Sequence, residues 1–125
     1  MLQRAAIVFG VVFLVVGILG FVPVVAPDGY LLGLFQVDTW HNLVHLLTGA
    51  VAVIVGFMTE RASQRFFQIF GVLYGLLAVL GFFHGDSPLF GVIAHNPADI
   101  GLHIVIALVA LYLGFTAPRT PTERL

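Results

Sequence analysis

Four uninterrupted apolar runs, separated by short clusters of Pro, Gly and charged residues, set the pattern of the chain. They cover residues 5–26, 41–58, 66–83 and 100–117. Each holds roughly 18–22 residues, and at ~1.5 Å per residue that crosses a hydrocarbon core of ~30 Å. Backbone groups in lipid must be satisfied within their own segment, so such runs are helices rather than open strands. The polar/apolar alternation of a membrane β-barrel is missing. The breakers are Pro23, Pro27, Asp28 and Gly29, then residues 59–65, then 85–88 with Pro97, and finally Pro118 and Pro121. The prediction is an all-α integral membrane protein, a four-transmembrane-helix bundle forming a single domain over residues 1–125.

Composition agrees. Sixty per cent of the 125 residues are hydrophobic and 9% are charged, with a mean hydropathy of +1.09. A soluble domain carries about 25% charge, so the expected environment is a lipid bilayer. The absence of Cys removes a disulfide framework, a thiolate metal site and a cysteine nucleophile. A net charge of −1 with five basic residues argues against nucleic acid as a partner.

Those five are Arg4, Arg61, Arg65, Arg119 and Arg124, and four spans put them all on one side. Asp28, Asp38, Asp86 and Asp99 fall on the other. The positive-inside rule then predicts cytoplasmic termini and a cytoplasmic 59–65 loop, with residues 27–39 and 84–98 facing outward. Tyr30, Phe35, Trp40, Phe82, Phe83 and Phe90 form the expected outer aromatic belt. Arg4 ahead of an apolar stretch, with Val24-Val25-Ala26 as a passable cleavage site, also resembles a signal peptide. The stretch is long for that role, and it is read as a span.

The second half echoes the first. At an offset of 58 residues, 32–57 aligns with 90–115 without a gap, placing His45 on His103, His41 on Asp99 and Asp38 on Asn96. Spans one and three align at an offset of 61, Gly10 on Gly71 and Gly20-Phe21 on Gly81-Phe82. Two repeated helical hairpins are expected, about 5–58 and about 66–117, related by a pseudo-two-fold axis along the membrane normal.

Helical spacing puts His41, His45, Gly49, Ala52 and Gly56 on one face of span two. The equivalent face of span four carries Asp99, His103, Ala107, Ala110 and Gly114. Both stripes are polar at the outer end and small below, which lets helix backbones approach closely. A polar cluster of Asn42, His45, Asn96, Asp99 and His103 is expected under the outer surface, with His41, Asp38 and Thr48 beside it. Ionisable groups at that depth need interior partners.

Three readings of the cluster stay open. In the first it is structural: a His of one hairpin donates to an Asp or Asn of the other, in a scaffold or accessory subunit acting as a homo-oligomer or within a larger membrane complex. In the second, His45 and His103 ligate haem b, or His41, His45, Asp99 and His103 hold a divalent metal. In the third, a His/Asp relay moves protons or a solute, although the spans are apolar below Thr48 and Gln64 and Gln68 sit only at the inner edge. His84 and His95 read as solvated loop residues, and Glu60 and Arg61 as an ordinary turn. No catalytic constellation is visible, so an enzyme is not expected.

The strings Gly17-Ile18-Leu19-Gly20-Phe21-Val22-Pro23, Asn42-Leu43-Val44-His45-Leu46-Leu47-Thr48-Gly49 and Asn96-x-x-Asp99-x-x-Leu102-His103 resemble a family of small four-span bacterial membrane proteins known as domain of unknown function 4383. The resemblance implies a bacterial inner (cytoplasmic) membrane protein and supplies no activity. It places the family-like polar positions at Asn42, His45, Asn96, Asp99 and His103. His41 stands just ahead of its string.

Overall fold

The computed structural model describes residues 1–85, 87–88, 91, 93 and 95–116. Asp86, Phe90, Pro118, Arg119, Pro121 and Arg124 of the sequence reading lie outside the described residues. Four helices, α1 (Leu2–Leu19), α2 (Thr39–Met58), α3 (Glu60–His84) and α4 (Pro97–Thr116), are all long and apolar enough to cross a membrane. The protein is a four-helix, multi-pass membrane bundle set in lipid.

Several boundaries differ from the apolar runs. Helix α1 stops at Leu19 rather than running to 26. Pro23 disfavours helical backbone at the residue before it, and residues 20–26 turn back through single hydrogen bonds such as Ala26 N–H to Val22 O. Residues 59–65 are not a loop. Only Thr59 is extended, and its Oγ1 accepts from Ala62 N–H (2.9 Å) to cap α3. Glu60, Arg61 and Arg65 therefore end an apolar run without ending a helix. Helix α4 begins at Pro97, early in the position that tolerates a missing N–H. Between α1 and α2 the chain also forms a two-stranded antiparallel ribbon, β1 (Tyr30–Leu31) and β2 (Phe35–Gln36). Its turn takes positive φ at Leu32 and Gly33, costly at Leu32 and free at Gly33.

Helix α1 packs along α2, and α3 along α4, far more extensively than either hairpin packs on the other. The buried positions repeat. Asp99, His103, Ala107, Ala110 and Gly114 on α4 each fall 58 residues after a buried residue of α2. Leu2, Ala6, Gly10, Phe13 and Gly17 on α1 each fall 61 residues before a buried residue of α3. Bulky side chains point the other way: Val8, Leu47, Ile69 and Leu108 are each more than 60% exposed. Small inside and bulky outside is the packing order of helices whose solvent is itself apolar.

The hairpins meet through rings. Phe9 and Phe13 of α1 lie edge-to-face with Phe70 of α3, at centroid distances of 5.0 and 5.6 Å. Phe70 in turn stacks on Tyr74 at 4.0 Å. At the end of the bundle holding Met1, Glu60 accepts from the backbone N–H groups of Leu2 (3.1 Å) and Gln3 (3.1 Å) and from the Met1 ammonium (2.9 Å). It thus caps α1 from the other hairpin, and is no ordinary turn residue. The orphan carbonyls at the ends of α2 and α4 are served by glutamines: Gln3 Nε2 donates to Gly56 O (3.2 Å) and Gln64 Nε2 to Gly114 O (3.0 Å).

The tightest approach is α1 on α2. A Cβ on Gly10 would lie 2.6 Å from Val53 Cγ2 and 2.7 Å from Gly49 O. Gly10→Ala is expected to destabilise the protein by about 1–3 kcal/mol, read as a lower midpoint of thermal unfolding in detergent. Gly101→Ala, where nothing lies within 4 Å of the new methyl, is expected to leave it unchanged.

Candidate functional site

At the opposite end of the bundle the two hairpins present their helix N-termini. Asp38 caps α2, its Oδ1 accepting from His41 N–H (2.8 Å). Asn96 and Asp99 cap α4 reciprocally: Asn96 Oδ1 accepts from Asp99 N–H, and Asp99 Oδ2 from Asn96 N–H, both at 2.9 Å. This is a capping box with Asp in the place of Glu. The ribbon is tied over it. Asn96 Nδ2 donates to Leu34 O (2.9 Å), and the Asp99 carboxylate also accepts from the Gln36 N–H.

Beneath the ribbon lies a cavity of about 110 Å³ lined by His41, His45, Asp99 and His103 among apolar neighbours. One turn separates His41 from His45 on α2, and His103 reaches in from α4. The three imidazoles offer nitrogens that all lie within 4.8 Å of one another, and all three residues are buried. Ring centroids are 5.0 Å apart for His41 and His45, and 5.9 Å for His41 and His103.

The rings are held by aromatic walls. Phe13 stacks on His45 at 4.9 Å, and Tyr74 meets His103 edge-on at 5.2 Å. Tyr74 and Thr48 are also joined by a side-chain hydrogen bond, which links α3 to α2 just below the cluster. Neither Phe13 nor Tyr74 stood out in the sequence. Within an apolar run an aromatic residue carries no mark of what it touches; the correspondence of Phe13 with Tyr74 at the 61-residue offset was the available signal.

The remaining sequence candidates separate. Asp99 lines the cavity and is 2% exposed, but it stands outside the three-histidine group and its carboxylate is engaged by backbone N–H groups. Asn96 caps and ties the ribbon. Asn42 packs its amide against Gly20, the residue that ends α1, and is not part of the three-imidazole group. His84 is exposed and pairs through Nδ1 with Leu80 O (2.8 Å). His95 is not a solvated loop residue: it is 2% exposed, and both ring nitrogens lack a hydrogen-bond partner.

His45 also has no partner on either ring nitrogen. A buried imidazole left unsatisfied costs about 1–3 kcal/mol. His45 is therefore not a ring that donates across the hairpins.

The Asn96 side chain serves two hydrogen bonds at the root of the ribbon, from Asp99 N–H and to Leu34 O. Asn96→Ala is expected to cost about 1–2 kcal/mol. Asn96→Asp, which keeps the cap but cannot donate to Leu34, should cost less than Asn96→Ala. Unfolding midpoints of the three proteins in one detergent check the order.

No curated protein and no solved structure matches the chain. A family model does match, described as Domain of unknown function (DUF4383), over residues 3–116. With nearly the whole membrane bundle and every residue of the histidine cluster inside that match, the chain belongs to the DUF4383 family.

Proposed function

We propose that the protein binds a divalent transition-metal ion through His41, His45 and His103, at the outer end of the bundle. The carrying observation is His45: a buried ring with two unpartnered nitrogens, set beside two further imidazoles. An ion takes up one of these nitrogens where no side chain does. Imidazole suits zinc, copper, nickel and iron. A zinc–nitrogen bond of ~2.0–2.1 Å brings tetrahedral ligands closer together than the 4.8 Å limit of this group, so loading draws the three rings inward. Three protein ligands with the fourth place open to a small cavity is the arrangement of zinc sites that keep an exchangeable position. A cavity of about 110 Å³ takes an ion with one or two waters and not a porphyrin, which favours the metal over haem b.

In this reading the chain is two copies of one hairpin about an axis near Phe9 and Phe70, and the copies have diverged at the site, where His41 answers to Asp99. The ends bearing Arg4, Arg61 and Arg65 are cytoplasmic by the positive-inside rule. The metal then sits toward the outer face of a bacterial inner membrane.

Protein purified in detergent, stripped with chelator and reloaded with zinc is expected to hold about one ion per chain by elemental analysis. Affinity should drop about tenfold or more in each of His41→Ala, His45→Ala and His103→Ala, and stay unchanged in His84→Ala. An unaltered zinc content in the triple variant would sink the proposal. So would a metal-free wild-type protein whose histidine variants differ only in thermal stability, the outcome a scaffold role requires.

A further inference from the structure

Helices α1 and α4 do not close on each other, and the gap between them is an apolar groove of about 610 Å³. Its walls include Val8, Phe9 and Val12 of α1 and Val109 of α4, and among the described residues its one charged residue is Arg4, at the end nearest Met1. A second groove, of about 440 Å³, lies between α2 and α3, and among the described residues its one charged residue is Arg65. The two correspond position by position. Arg4, Val8, Phe9 and Val12 stand 61 residues before Arg65, Ile69, Phe70 and Leu73, all of which line the second groove. Val109 of the first stands 58 residues after Val51 of the second.

Both arginines are exposed, and neither makes a hydrogen bond or ion pair among the described residues. Each sits where its helix enters hydrocarbon, beside the polar Gln3 and Gln64 that close the helix ends. From Arg4 to Val16, the far wall of the first groove, α1 rises about 18 Å. That is a little more than half of a ~30 Å core, the depth an acyl chain reaches from its own leaflet. Arg presents a planar fork of donors suited to phosphate oxygens.

We propose that these two grooves are anionic-phospholipid sites, each seating one acyl chain along its apolar floor with the headgroup phosphate on Arg4 or Arg65. The pairing of an unpartnered cation at headgroup level with a chain-length apolar channel occurs twice, at matching positions of the two hairpins. A helix from a partner would find no use for an arginine at one end only of each groove. A lipid needs that polarity.

The test is native mass spectrometry of the protein, incubated with zinc and released from detergent micelles containing phosphatidylglycerol. The wild type is expected to retain two phosphatidylglycerol molecules, Arg4→Gln or Arg65→Gln one, and the double variant none. Val12→Trp and Leu73→Trp fill the grooves on their lipid side and leave the arginines in place, and each should lose one lipid. Retention of inorganic phosphate in place of lipid would overturn the acyl-chain seat. Full retention by the double arginine variant or by both tryptophan variants would overturn the sites altogether, as would a lipid-free dimer. His103→Ala, which lines neither groove, should retain both lipids while losing zinc, so failure here and failure of the metal reading are separately visible.

Discussion

Helices surrounded by lipid gain nothing by hiding apolar side chains from one another, because the tails outside are as apolar as the interior. What holds this bundle is close backbone contact and the ring cluster. Gly10 against Gly49 and Gly56 against Gln3 and Ile7 let α1 and α2 touch along their length. Gly71 and Gly114 do the same for α3 and α4. Larger residues at these positions would force the two helices of a hairpin apart, and most of the buried bulk is in the rings between the hairpins.

Such tight packing makes the polar end conspicuous. A bilayer penalises each unsatisfied donor or acceptor by several kcal/mol, and nearly every exposed helix terminus here has been answered. Glu60 caps α1, Asp38 caps α2, Thr59 caps α3, Asn96 and Asp99 cap α4, and glutamines close the carbonyl ends of α2 and α4. Against that background His45 and His95, with four bare ring nitrogens between them, are departures from an otherwise consistent economy of hydrogen bonds. Departures of that kind concentrate where a site has work to perform.

Spans, pairing into hairpins and the small-residue stripes were legible in the sequence because each rests on helical period and apolar length, which the bilayer enforces. Residues 59–65 were not read correctly because charge there ends the apolar run and not the helix, and apolar length cannot tell the two apart. The ribbon at 30–36 depends on positive φ at Leu32 and Gly33, and a Leu gives no warning of such a turn. Convergence of His45 with His103 followed from the stripes. His41 joined them because it lies one helical turn from His45, whereas Asp99, its counterpart at the 58-residue offset, was captured by the backbone of Asn96 and Gln36. The role of Glu60 and of the Phe13 and Tyr74 walls depends on how one hairpin docks on the other, and nothing local encodes that.

The uneven distribution of contacts also orders the protein's biogenesis. Each hairpin is knitted from helices adjacent along the chain, so α1 and α2 can settle together while α3 is still being translated. The ring cluster of Phe9, Phe13, Phe70 and Tyr74 and the Thr48–Tyr74 bond are available only after both halves have been inserted. Until that final docking, a nascent chain displays His41 and His45 alone, and the third imidazole arrives as the closing act of assembly.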